Sequence, residues 1–423
     1  MRIVLATWGS FGDLHPFLAL GEGLLARGHD VVVATCPLYQ GKVERSGLGF
    51  APLGPDLPPP GSVAAATMAR LMDARHGPRA VLRETVVPAV EGQYRDLCAA
   101  CAGADRLVAH PVVLSAPLAA AKKDVPLVGL ALQPILFLSA HDPCVPPGVP
   151  ALVDAWLPPQ PLMAPMLRAV RGYLRRWTVP VDRLRSAENL PDQGHPLFEA
   201  PFSGVANIAA WDPVLGAPQP DWPSRTVQTG FLFHDRRGEP GDASQLPERA
   251  EEFLAGGPAP VCFTLGTSAV MDPGFFWDAA AAACRQLGIR GIFLTGLHPG
   301  AWQPDPADTS LLALDYAPHS LLMPRCAAVV HQGGVGTTGQ ALRSGRPQVV
   351  VPWSHDQPDH ARRVVRAGLG AHVARHRIGA SAFADVLERV LGDASIAENA
   401  RRVGDTVRAR DGVGVACDAV VAA

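Results

Sequence analysis

Short apolar runs rich in Val, Ile and Leu alternate with longer stretches of helical periodicity along the first part of the chain. "RIVLAT" (2–7) predicts a buried parallel strand, and "HPFLALGEGLLARGH" (15–29) an amphipathic helix closed by Gly28. "DVVVAT" (30–35), "RLVAH" (106–110) and "VPLVGLAL" (125–132) predict further strands, with a helix at 114–124. Strands alternating with helices predict a doubly wound parallel α/β sheet. Residues 141–200 break the pattern. They are proline-rich with helical pieces such as "PLMAPMLRAVRGYLRRW", and read either as a lid or substrate-binding insertion or as an irregular elaboration. "RTVQTGFLF" (225–233) resumes a strand, and a polar Gly/Pro-bearing stretch marks a linker over 236–257. The pattern restarts at "APVCFTLGTS" (259–268), followed by a helix at 275–288 and strands at 291–296, 311–316, 327–331 and 347–353. Two Rossmann-like domains are predicted, 1–235 and 258–400, with helices over 401–423 that pack back on the first domain. The openings "RIVLATWGS" and "PVCFTLGTS" are alike, as expected of two such domains facing across a cleft.

Composition narrows the function. The 423 residues are 48% hydrophobic and 18% charged, with a net charge of −2. Without clustered Lys and Arg, nucleic acid is excluded as a partner. Eight cysteines in a chain of this length do not form a secreted disulfide framework, and Cys98-x-x-Cys101 lacks a second pair for zinc, so both read as helical core residues. The N-terminus lacks signal-peptide features, and the longest apolar run (125–140) is too short and interrupted to span a bilayer. The chain therefore reads as a soluble cytoplasmic protein, monomeric or homodimeric.

The chemistry concentrates in "VVHQGGVGTTGQAL" (329–342), a strand ending in a histidine, then glycines and threonines, then a helix. Unpaired N–H groups and the dipole make a helix start attractive to anions. Gly333, Gly334 and Gly336 allow close backbone approach, Thr337 and Thr338 add hydroxyls, and His331 is expected to donate an N–H to a phosphate oxygen. A P-loop is excluded by the missing lysine, and a dinucleotide fingerprint by the absence of G-x-G-x-x-G after the first strand.

The stretch "YAPHSLLMPRCAAVVHQGGVGTTGQALRSGRPQVVVPWSHDQPDHARR" (316–363) resembles the donor-binding signature of family 1 glycosyltransferases, and "GSFGDLHPFLALGEGLLARGH" (9–29) the start of their acceptor domain. The bacterial branch with macrolide, sterol and flavonoid glycosyltransferases is the most similar. The resemblance implies the two-domain GT-B fold and a nucleotide diphosphate sugar as co-substrate, with UDP-glucose the expected donor. It places Thr267 and Ser268 at the phosphates, Ala317 and His319 at the nucleobase, and Asp356 with Gln357 on sugar hydroxyls. Tyr316 stands where plant relatives have Trp. Without the resemblance, Asp356 would read as a helix N-cap. Trp353 is a candidate contact near the donor sugar. No D-x-D motif occurs, so neither a metal nor another cofactor is expected.

Attack on an anomeric carbon needs a proton acceptor. In the family's Gly-His-x-x-Pro pattern Asp13 fills the histidine position, and His15 follows two residues on. His110 matches the site where plant relatives carry an aspartate supporting their catalytic histidine. A reversed dyad of Asp13 with His110 is one expectation; His110 bonded only to backbone is the other. His234, His355 and His360 show no metal spacing and read as surface or capping residues, and Trp156 and Trp177 as packing residues in the 141–200 segment. The expected activity is inverting transfer of a sugar to a hydroxyl of an apolar small molecule of flavonoid, polyketide, terpenoid or sterol type. The rivals are a GT-B sugar-nucleotide epimerase and a non-catalytic auxiliary protein of the same fold.

Overall fold

Each half of the chain is built on an all-parallel sheet. The structure, a computed structural model, describes residues 1–57, 65–155, 157–235, 245–296 and 301–423. In the first half β1 (Arg2–Ala6), β2 (Asp30–Thr35), β3 (Gly49–Pro52), β4 (Arg106–Ala109), β5 (Leu127–Ala131), β6 (Ala206–Ala209) and β7 (Thr226–Gln228) lie in the order β3-β2-β1-β4-β5-β6-β7. In the second, β8 (Val261–Thr264), β9 (Gly291–Leu294), β10 (Leu311–Leu314), β11 (Ala328–His331), β12 (Gln348–Val350) and β13 (Gly370–His372) lie in the order β10-β9-β8-β11-β12-β13. Both halves thus wind outward from their first strand and then reverse, between β1 and β4 and between β8 and β11. At such a switch point the loops leaving two neighbouring strands diverge and open a crevice off the carboxyl ends. Register sets what reaches it: Ala6 pairs with Ala109, so His110 stands just beyond, and His331 pairs with Thr264.

Central strands are apolar because both faces are covered: Ile3, Val4, Leu5 and Ala6 are all fully buried. β3, β6 and β13 (GFAP, ANIA, GAH) were not expected from the sequence, because none carries an apolar run. Helix Phe11–Ala26 begins earlier than its periodicity suggests. The Ser10 side chain accepts from Gly12 N, and Asp13 closes a capping box onto Ser10. The expected strand 225–233 shortens to Thr226–Gln228. Of the expected linker, 236–244 lies outside the described residues, and Glu248–Ala255 is a helix with Ala250 buried. Trp156 is also outside them.

The halves share a core. Phe137, Val145, Val153, Trp211 and Leu215 cluster with Leu342, Val350, Val364, Leu369 and Val407. Beside it lies a buried ionic joint. Arg363 Nε donates to Asp359 Oδ2 (2.7 Å), and its Nη1 donates to Asp142 Oδ2 and to Leu215 O. Arg366 reaches Asp142 Oδ1 at 2.6 Å, and Asp359 Oδ1 accepts Val145 N–H at 2.9 Å. Burial pushes the Asp142 carboxyl up, but Arg363 and Arg366 outweigh it and hold it below the ordinary range. Finally, helix Gly412–Ala422 returns to the first half, where Ala416, Cys417 and Val420 join its core.

Candidate active site

The crevice of the second half is lined by the turn after β11. Gly333 has φ +91, and a Cβ there would meet Val350 Cγ1 at 2.8 Å and Gln357 O at 3.1 Å, so only glycine fits. Gly334 N-caps helix Val335–Ser344 with no side-chain cap, which leaves the first helical N–H groups pointing outward. At Gly336 a Cβ would meet nothing within 4 Å, so the helix start is open rather than packed. Thr338 is fully buried, yet its hydroxyl finds no hydrogen-bond partner among the described residues; the same holds for Gln332 Oε1 and His360 Nε2. Buried polar atoms are rarely left so, and a polar ligand in this turn would satisfy them.

His331 does not act as expected. It is fully buried, its Nδ1 accepts Gly333 N–H (3.1 Å), and its Nε2 donates to Gln348 Oε1 (3.0 Å). With both nitrogens committed, it shapes the turn instead of donating to phosphate. Burial drives its pKa down to about 4. The unfolded chain titrates a histidine near 6.5, so between the two values the unfolded state binds the extra proton. The contribution is complete above about pH 6.5 and is lost as pH falls toward 4, roughly 3 kcal/mol at the limit. Melting temperatures from pH 7 to 4 should fall accordingly, and His331→Gln should flatten that slope while lowering the baseline.

Two residues that the sequence did not mark complete the turn. His360 Nδ1 donates to Gly333 O (2.7 Å) and lies 3.3 Å from Asp356 Oδ2. Gln332 wedges between the two loops: a Cβ on Gly266 (φ +65) would meet its Nε2 at 2.2 Å, and one on Gly334 at 2.8 Å. Its Nε2 also lies 3.5 Å from Thr337 Oγ1. Gly266 thereby brings the loop of Thr267, which is exposed, and Ser268, half-buried, beside the glycine turn. Ala317 is fully buried at the end of β10, and His319 beside it is pushed down to about 4 by desolvation, with Asp235 opposing.

The loop after β12 divides the remaining candidates. Trp353 is core, contrary to expectation: it is fully buried, donates Nε1–H to Asp272 O (3.1 Å), and packs edge-on against Phe276. Gln357 Oε1 is taken by Trp353 N–H (2.8 Å) and Ser354 N–H (3.1 Å), so only its amide NH₂ can serve a ligand. Asp356 precedes helix Gln357–Arg366 but makes no side-chain cap, so its carboxylate is not spent on the helix. Burial raises its pKa, with His360 and His355 opposing. Between them His355 holds a left-handed backbone, φ +60, costly for a side chain of this size. It is half-buried, and desolvation lowers its pKa; next to it Ser354 Oγ donates to Asp73 O of the other half at 2.9 Å.

On the first half, Asp13 presents its carboxylate at the β1 end of the crevice. Oδ2 accepts Ser10 N–H (2.8 Å) and Ser10 Oγ–H (3.0 Å). His110, buried at the end of β4, accepts Val112 N–H at Nδ1 (3.3 Å), so its proton sits on Nε2. That Nε2 has no hydrogen-bond partner among the described residues, and so the Asp13–His110 dyad is not closed by a bond. Burial lowers the His110 pKa and the Asp13 charge raises it, which leaves a neutral donor facing an acidic neighbour. His15 does not join them. Two positions along a helix project about 200° apart, and its ring packs instead 5.4 Å from Phe11 and 5.3 Å from His234, whose side chain is buried. Among the described residues no group of three or more His, Cys, Asp or Glu is arranged to hold a metal ion, and no helix is long and apolar enough to cross a membrane.

The geometry matches known proteins in both halves. The model of the glycosyltransferase family 28 N-terminal domain matches residues 3–123, and that of the erythromycin biosynthesis protein CIII-like C-terminal domain matches 308–413. O-mycaminosyltylonolide 6-deoxyallosyltransferase of Streptomyces fradiae is 33% identical over 99% of this chain and 96% of its own. Glycosyltransferase GtfE of Amycolatopsis orientalis is 32% identical over 88% and 85%. The crystal structure of glycosyltransferase VinC in complex with dTDP superposes with a TM-score of 0.68 at 19% identity, covering 100% of this chain and 99% of that one. With whole-length similarity, the GT-B fold and the glycine turn in agreement, this chain belongs to the family 1 glycosyltransferases.

Proposed function

We propose that the protein transfers a sugar from a nucleoside diphosphate to a hydroxyl of an apolar small molecule, with inversion and without a metal ion. One observation carries the reading: Val335, the first residue of the helix after the glycine turn, packs against the core of the first half, and Ser354, two residues before Asp356, donates its Oγ–H to Asp73 O of that half at 2.9 Å, so the two switch points open onto one another. A candidate base and a candidate sugar-binding acid therefore look into one crevice. Asp13 takes the acceptor proton, the acceptor oxygen bonds to the anomeric carbon, and the bond from that carbon to the diphosphate breaks. The departing charge is met by the uncapped helix start at Val335 and by the hydroxyls of Thr267, Ser268, Thr337 and Thr338. Asp356 and the Gln357 amide hold sugar hydroxyls, and the Ser10 N–H and hydroxyl hold the Asp13 carboxylate in place.

Two donors stand side by side. The sequence resemblance implies UDP-glucose. A thymidine diphosphate 6-deoxyhexose is favoured by the deoxyallosyl group in the name of the 33% identical relative and by the dTDP bound to VinC. Purified protein should release nucleoside diphosphate from one of them with macrolide or sterol acceptors, and the acceptor should gain one sugar unit by mass. Donor binding with no release across the panel would instead identify a non-catalytic protein.

A further inference from the structure

Helix Gln160–Arg175 leaves most of its apolar face uncovered. Leu162, Met166, Val170 and Tyr173 are 58%, 52%, 42% and 52% exposed, at spacings of four, four and three that set them in one row. Trp177 extends the row, its ring 5.4 Å from Tyr173. The helix is anchored along another edge, where Met163 is buried. Scattered exposed apolar residues are ordinary, but a contiguous row marks a contact surface.

The charge around this row is basic. Residues 160–187 carry Arg168, Arg171, Arg175, Arg176, Arg183 and Arg185 against the single acid Asp182, in a protein whose net charge is −2. Arg168, Arg176 and Arg183 are exposed. Arg171 and Arg175 are paired with Glu199 and Asp182, but an exposed apolar row, the exposed Arg168, Arg176 and Arg183 around it, and an aromatic pair at one end describe a helix that lies in a lipid–water interface. We propose that this helix docks the protein on an anionic bilayer surface, inserting the Leu162–Tyr173 row with the arginines over the lipid headgroups. Association of this kind is peripheral and does not depend on the transferase reading.

The test is co-sedimentation of the full chain with vesicles of phosphatidylcholine and of phosphatidylcholine:phosphatidylglycerol, at low and physiological salt. Binding should require the anionic lipid and weaken with salt. Arg168→Gln and Arg176→Gln should each weaken it ~5-fold. Leu162→Glu/Met166→Glu should abolish it while leaving melting temperature and turnover of a water-soluble acceptor unchanged. Absence of binding to anionic vesicles at low salt, or undiminished binding by the double variant, overturns the proposal. So does a double variant whose only change is a raised acceptor KM, since the row would then cover the acceptor.

Discussion

Asp13→Asn is expected to lower kcat by roughly 10²–10⁴-fold, the range that general bases supply. The substitution is selective because asparagine keeps an oxygen that can accept from Ser10, so the capping box at the start of helix Phe11–Ala26 survives. Donor KM should change little, since the diphosphate is gripped by the other half of the molecule. Asp13→Ala should be as inactive and in addition lose about 1 kcal/mol of stability with the cap. His110→Ala should cost less than either, because the imidazole makes no hydrogen bond to Asp13. Steady-state kinetics with a saturating acceptor, read alongside thermal melts, separate these cases. Full turnover by Asp13→Asn would remove the base from this position.

Arg363→Ala is expected to destabilise the protein by about 3–5 kcal/mol, the cost of leaving a buried charge without its partner. Arg363 is 2% exposed at the side chain, and its removal strands Asp359, at 1%, and leaves Asp142 with Arg366 alone. The Asp359 carboxylate would then have to take up a proton or water. Urea denaturation followed by fluorescence and by activity would measure the loss, which should be greatest at neutral pH and shrink as the medium becomes acidic enough to protonate the stranded acid. A variant that unfolds at the wild-type midpoint would mean that Arg366 alone holds the joint.

The sequence exposed the fold where hydrophobic patterning is strongest. The apolar runs of β1, β2, β4 and β5, and of β8 to β12, could be recognised because a sheet covered on both faces demands them. β3, β6 and β13 could not, since their pairing comes from a neighbour strand rather than from their own side chains. In the site, Gly333 is legible because its left-handed backbone admits only glycine. His331 was placed correctly but given the wrong task, because its partner Gln348 lies on another strand, 17 positions away. Trp353 looked like a ligand contact only until the aromatic cluster around Phe276 was seen to enclose it. His355 and His360 read as surface or capping residues for the opposite reason: a solitary histidine carries no spacing signal, and its meaning depends on which loops fold against it.

The core common to both halves bears on how such an enzyme can be recombined. An exchange of donor specificity by splicing two chains between residues 235 and 245 would separate Arg363 from Asp142, and would leave the last helix, Gly412–Ala422, facing a foreign first domain. A hybrid in which residues 134–155 and 211–215 travel with the second half, and Gly412–Ala422 with the first, keeps more of these contacts native. Modularity in this protein therefore follows buried contacts rather than the order of residues, and grafts drawn along the linear map alone should yield insoluble chains.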